Sequence, residues 1–62
     1  MASPFWRFTI NMAYLIGDLI QAWKYAKAQD YKTAESYLTQ ALKTLRRLEW
    51  ALGEMEKQEK EG

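Results

Sequence analysis

The second half of the chain carries the most regular apolar pattern in the sequence. From Tyr31 to Met55, apolar residues recur at alternating spacings of three and four positions, which is typical of a helix that packs lengthwise against another helix. The pattern predicts a helix over about residues 31–58 with left-handed, nearly aligned packing. The residues predicted to form this hairpin seam are Tyr31, Ala34, Leu38, Ala41, Leu45, Leu48 and Leu52.

The first half of the chain predicts another helix, over about residues 4–28. Ser3 is a good N-cap, and Pro4 follows it at the first helical position, where a missing amide proton costs nothing. Apolar residues then recur at helical spacing as far as Ala26, and no further proline interrupts them.

Only a few residues around Asp30, a plausible N-cap for the second helix, separate the two predicted helices. A connection this short makes the helices fold back on each other. We therefore predict an all-α fold, an antiparallel two-helix hairpin that forms a single domain over residues 1–62. Its acidic C-terminal tail contains one apolar residue, Met55, after Gly53, and is expected to fray.

A second apolar row on the first helix predicts self-association. Two helices alone cannot cover both rows, so we expect a symmetric homodimer, or a higher homo-oligomer, that forms a four-helix bundle. Small residues four positions apart permit a close helix approach within this row. The residues predicted to form the dimer interface are Trp6, Ile10, Ala13, Gly17 and Ile20. Alternatively, the row is covered by a host protein, or Trp6 folds back over the hairpin.

Composition narrows the chemistry that the chain can perform. The 62 residues include no cysteine and no histidine, which argues against a zinc site, a disulfide, a cysteine–histidine dyad and a serine triad. A chain this short also lacks room for a catalytic pocket, and no glycine-rich loop is present. We predict no enzymatic activity, no cofactor, no metal and no catalytic residue.

The apolar stretch between Phe5 and Trp23 is nearly long enough to cross a membrane, but Arg7 and Asp18 interrupt it. No basic segment precedes this stretch, so a signal peptide fits poorly. The expected localisation is therefore cytoplasmic, in agreement with the absence of cysteine. An interfacial helix that lies on a membrane surface remains open, because aromatic residues cluster near Phe5.

Basic residues of the second helix offer a candidate binding surface. The residues 24–47 carry a net charge of +4, although the whole chain carries only +1. Such a stripe could follow a phosphate backbone, with a tryptophan available to stack on a base, or dock on an acidic protein. It could equally be an ordinary solvated face. The candidate contact residues are Lys32, Lys43, Arg46, Arg47 and Trp50.

In the middle of the chain, Ala22 and Tyr25 precede Asp30 and Tyr31, and small and large apolar residues follow at fixed spacing. This part of the chain, residues 18–45, resembles a tetratricopeptide repeat. In that family a small and an aromatic residue on the first helix precede a Gly-Asp-Tyr-like turn, and small and large apolar residues then follow at fixed spacing. The matching positions in this sequence are Ala22, Tyr25, Asp30, Tyr31, Ala34, Leu38 and Ala41.

The chain departs from that family's pattern at several positions. Gln29 replaces the usual glycine, and Arg46 stands where the closing proline belongs. A similar alanine-rich hairpin occurs in microtubule-interacting-and-trafficking domains, and any tightly packed antiparallel hairpin favours alanines where its helices cross. The resemblance implies a hairpin with a helix-packing role and no ligand groove, because a single repeat does not form a solenoid.

Taken together, these patterns predict a non-catalytic protein–protein interaction or assembly module that self-associates through apolar helix faces. A small nucleic-acid-associated regulator, which would use the basic stripe, is the first alternative. An amphipathic protein associated with a membrane surface is the second.

Overall fold

The computed structural model describes residues 3–61, which form two helices packed against each other as a hairpin. Helix α1 spans Pro4–Lys27 and helix α2 spans Tyr31–Glu61. The resulting rod measures 50 × 15 × 15 Å along its principal axes. The predicted all-α antiparallel hairpin is confirmed. The predicted domain also includes residues 1, 2 and 62, which lie outside the described residues.

Helix α1 begins where its capping residues predict. Ser3 is extended, and its hydroxyl oxygen accepts a hydrogen bond of 3.1 Å from the backbone N–H of Trp6. Pro4 occupies the first helical position. The cap satisfies one of the amide protons that a helix leaves without an internal partner.

The turn between the helices is a tight Schellman-type C-cap. The N–H of Gln29 donates to the carbonyl of Ala26 at 3.0 Å, and the N–H of Asp30 donates to the carbonyl of Tyr25 at 2.9 Å. Gln29 adopts a φ of 67°, a left-handed conformation that favours glycine. Asp30 then caps α2, because its carboxylate accepts from the N–H of Thr33 at 3.3 Å.

Helix α2 is longer than the sequence pattern predicts. It continues to Glu61, three residues beyond the predicted end near residue 58, and the fraying of the tail stays a prediction. The tail consists mostly of glutamate, lysine and glutamine, which are good helix formers. The ammonium of Lys60 also pairs with the carboxylate of Glu56 at 3.1 Å, one helical turn away.

The core between the helices consists mainly of small side chains. Small residues let two helix axes approach closely, so little large apolar surface is enclosed. Leu48 is the only large side chain among the buried apolar residues of the described chain, and no large side chain there is fully buried. The buried residues are Ala22, Ala34, Ala41, Thr44, Leu48 and Ala51.

Of the seven predicted seam residues, three are buried and four are exposed. Ala34, Ala41 and Leu48 are buried as predicted. The other four are exposed instead. The exposed fraction is 68% for Tyr31, 52% for Leu38, 44% for Leu45 and 51% for Leu52.

The true seam alternates between the three confirmed positions and Tyr37, Thr44 and Ala51. Helix α2 is therefore rotated by about 50° relative to the predicted packing. Two features account for the rotation. Small side chains allow the closer approach of the axes, and near the turn the ring of Tyr25 stacks on that of Tyr37 with centroids 5.7 Å apart.

Candidate interaction surfaces

One side of the hairpin exposes large apolar side chains from both helices. Leu15 and Leu19 of α1 and Leu38, Leu42 and Leu45 of α2 line a shallow groove with Ala41 at its base. Helical spacing extends this surface toward both ends of the rod. We call it the leucine face, and it comprises Ile16, Leu19, Trp23, Tyr31, Leu38, Leu42, Leu45 and Leu52.

The leucine face is exposed along its whole length. Its eight side chains are between 44 and 68% exposed. The ammonium of Lys27 lies 5.2 Å from the ring centroid of Trp23, which leaves a cation at the turn end of the face. Contiguous apolar patches of this kind are uncommon on the surface of a monomer.

The residues of the predicted dimer interface share a different surface, which we call the outer face of α1. Trp6 and Ile20 are 55 and 54% exposed, Ile10 is 38% exposed, and Ala13 and Gly17 are exposed as well. A Cβ atom at Gly17 would meet no heavy atom within 4 Å. Packing within the chain therefore does not require glycine there, and the surface is free to receive a partner.

A second recess between α1 and α2 is bordered by charged and polar side chains together with a tryptophan. Arg7 and Asn11 of α1 and Arg47 and Trp50 of α2 line a cleft above Ala51, which we call the polar cleft. The side-chain amide of Asn11 donates to the carbonyl of Arg7 at 2.8 Å, which orients its free oxygen away from the helix backbone. Two guanidinium groups and an indole thus border one recess.

The structure brings only part of the predicted basic stripe into the polar cleft. Arg47 and Trp50 line it, and Arg47 also shares a neighbouring groove with Lys43. Lys32 and Arg46 are exposed elsewhere on α2. Among the side chains that the structure describes, residues 3–60, the only ion pair joins Lys60 and Glu56, so none of these carboxylates pairs with a residue of the stripe.

Sequence reasoning missed Arg7 as a member of this cleft. Arg7 and Arg47 are distant in sequence, and only the antiparallel pairing of α1 with α2 brings them to one recess. The predicted hairpin could have indicated this, because a chain that folds back at Asp30 has the start of α1 beside the second half of α2.

Within the described residues, neither α1 nor α2 has the length and apolar character needed to cross a membrane. The same residues contain no cluster of three or more acidic side chains that could hold a metal ion. Comparison of the chain with protein-family models, curated proteins and solved structures finds no match. The candidate interaction surfaces of the described residues are therefore the two apolar faces and the polar cleft.

Proposed function

We propose that this chain is a non-catalytic protein–protein interaction and assembly module that self-associates through its apolar helix faces. The observation that supports the proposal is the placement of its large side chains. Fourteen large hydrophobic residues within residues 3–61 are exposed by 38% or more, whereas the buried core is mainly alanine. The hairpin alone leaves these fourteen side chains partly or largely in water.

The total accessible surface agrees with an incomplete core. The chain exposes 5275 Å². A compact monomer of 7.3 kDa is expected to expose about 4,200 Å², so the hairpin exposes about 1,100 Å² more. Part of this excess comes from the elongated rod, and side-by-side association of two rods would remove it.

Chain length supports the same proposal. A core of this size rarely contributes more than about 3–5 kcal/mol to stability, and small domains usually add disulfides, metals or association. The sequence has no cysteine for a disulfide, and it has no histidine. Association is the stabilising device that this composition leaves most accessible.

Light scattering across a concentration series tests the proposal directly. A dimer or a higher oligomer is expected, with a thermal midpoint, followed by circular dichroism, that rises with protein concentration because association stabilises only the folded chain. A helical monomer whose midpoint is independent of concentration would contradict self-association.

A second candidate function is binding to a nucleic acid through the polar cleft. The observation that favours it is the convergence of Arg7 and Arg47, from different helices, on one recess beside Trp50. Guanidinium groups bind phosphates, and an indole stacks on an unpaired base.

Fluorescence anisotropy with a labelled single-stranded oligonucleotide tests this candidate. We expect an affinity that falls steeply with salt and falls further for Arg47→Glu, because each phosphate contact releases bound cations. Lys57→Glu, far along the acidic tail, is the matched charge control. Equal losses from both variants would indicate only a general effect of net charge.

A further inference from the structure

The chain offers two apolar surfaces for self-association, the leucine face and the outer face of α1. We infer that a second copy of the chain packs on the leucine face, antiparallel to the first, so that the turn of each copy lies beside the open end of the other. This inference rests on the proposed self-association and specifies its surface and its geometry.

The leucine face is the broader of the two surfaces. Both helices contribute to it, and Leu15, Leu19, Leu38 and Leu45 form a groove in which side chains of a facing layer can interdigitate. The outer face of α1 belongs to a single helix. A four-helix bundle buries a face that spans two helices of each hairpin, which is the geometry that the leucine face presents.

The exposed surface of the chain agrees with a second copy as the occupant of the leucine face. A standard interface buries about 800 Å² on each partner, and obligate homodimers bury more. The hairpin exposes about 1,100 Å² more than a compact chain of its mass, and side-by-side packing of two rods would cover part of this excess. A self-complementary apolar face on a chain with a small core is what an isologous dimer requires.

The charge distribution of α2 favours the antiparallel orientation. Residues 31–47 carry four cationic side chains and one anionic one, whereas residues 48–61 carry two cationic and five anionic ones. Three of the four cations in residues 31–47, Lys43, Arg46 and Arg47, lie near Leu45 at the middle of α2, so only Lys32 belongs to its turn end.

Helix α1 does not compensate for this arrangement. Lys24 and Lys27 lie in its last turn, beside the basic half of α2, and its first turn contains no acidic residue. The hairpin therefore concentrates cations at the turn and, on α2, anions at the open end. A partner that places anions beside the turn would balance these cations.

An antiparallel second copy supplies that compensation. With a two-fold axis across the face near Leu45, α2 of one copy runs against α2 of the other, and Leu38 lies opposite Leu52 of the second copy. Lys24, Lys27 and Lys32 around each turn then lie beside the glutamate-rich end of the other copy's α2, whereas Lys43, Arg46 and Arg47 stay near the axis. A parallel dimer would instead place both lysine-rich turns together, where like charges repel.

A matched pair of variants tests the surface. Leu38→Glu on the leucine face and Ile20→Glu on the outer face of α1 introduce the same charge at positions that are 52 and 54% exposed. Light scattering is expected to give a monomer for Leu38→Glu and an unchanged mass for Ile20→Glu. Circular dichroism at the same concentrations shows whether each variant remains helical, and Leu45→Glu provides a second leucine-face variant if Leu38→Glu unfolds.

Spin-label distances test the orientation, because the natural chain has no cysteine. Single labels are placed at Ala28→Cys in the turn and at Glu49→Cys near the expected two-fold axis, both at exposed positions. From the helical rise, antiparallel packing predicts about 50 Å between labels at residue 28 and less than about 25 Å at residue 49. A parallel dimer would bring the labels at residue 28 close together.

The outcomes separate this inference from the proposed function. A monomeric wild-type chain would overturn both. A dimer that Ile20→Glu dissociates and Leu38→Glu leaves intact would support self-association but overturn the leucine face as its surface. A short distance at residue 28 in a dimer that depends on Leu38 would overturn the antiparallel orientation.

Discussion

Two rows of residues run along α2 at the same seven-residue spacing, and the structure treats them differently. The row of Tyr37, Thr44 and Ala51 packs against α1, whereas the row of Tyr31, Leu38, Leu45 and Leu52 is exposed. The exposed row is the more hydrophobic of the two. Hydrophobicity alone therefore does not decide which row a short hairpin encloses.

The two rows have different roles, because the row with the smaller side chains packs within the hairpin and the row with the larger side chains faces outward. Ala41 and Thr44 let the axes of α1 and α2 approach closely, which favours dispersion contacts along the seam. Leucines at those positions would hold the helices further apart. On the leucine face, in contrast, long side chains can fill the space between two layers of a bundle, as the proposed dimer requires.

The largest expected effect distinguishes a leucine of the seam from one of the exposed row. Leu48→Ala is expected to destabilise the fold by about 2–4 kcal/mol, because it removes the largest buried side chain and leaves a cavity. Leu45→Ala, at a position that is 44% exposed, should cost less than about 1 kcal/mol in solutions dilute enough to keep the chain monomeric. Urea unfolding followed by circular dichroism measures both. Equal losses would place the exposed row within the monomer core.

Overpacking the seam tests why small residues occupy it. Ala41→Leu is expected to cost about 1–3 kcal/mol, because the side chain is 5% exposed and the added carbons have no space between the helices. Thr39→Leu, at an exposed position on the same helix, is the control and should change stability by less than about 0.5 kcal/mol. A thermal midpoint that rises for Ala41→Leu would contradict the close approach of the helices.

The turn contributes to the choice of row, because it sets the rotation at which α2 leaves α1. Gln29→Gly is expected to stabilise the hairpin by about 0.5–1 kcal/mol, because glycine adopts the left-handed φ of 67° without steric cost. Ala28→Gly is the control, because the φ of Ala28 is −83° and an alanine is not strained there. Glycine at this position only increases the conformational entropy of the unfolded chain and should therefore lower stability. Thermal unfolding compares the two, and an equal loss for both would show that Gln29 is unstrained.

The smallest effect is expected beyond both rows, in the tail of α2. Lys60→Ala removes the ion pair with Glu56, whose two side chains are 75 and 67% exposed, and should cost at most about 0.5 kcal/mol. Helical content at low and high salt measures the loss, which should fade as salt screens the pair. Lys57→Ala is the control, and an equal loss of helicity for both variants would assign the effect to helix propensity.

The caps and the turn could be predicted from sequence because they depend on local chemistry. Ser3 with Pro4 and Asp30 each place a hydrogen-bond acceptor where helix amide protons need one. The end of α2 could not be predicted as well. The glycine at position 53 and the sparse apolar residues suggested fraying, yet helix propensity and the Lys60–Glu56 pair continue the helix to Glu61.

The seam was predictable only at the positions that the two patterns share. Ala34, Ala41 and Leu48 recur every seven residues, so they belong to a seam whichever neighbouring row completes it. The seven-residue spacing did not determine which neighbouring row completes the seam. The row with Leu38, Leu45 and Leu52 was predicted because it is more hydrophobic, but the structure exposes it. The polar cleft was half predictable for a similar reason. Arg47 and Trp50 belong to one helix pattern, whereas Arg7 reaches them only across the fold.

The sequence by itself determined two helices, the residues that start them and a turn short enough to make them antiparallel. These features depend on neighbours within about four positions along the chain. Only the tertiary structure decided the rotation of α2, and with it which side of the hairpin became the leucine face and which became the polar cleft. That choice depends on how closely the two axes approach, and this distance is set by side-chain volumes on both helices together.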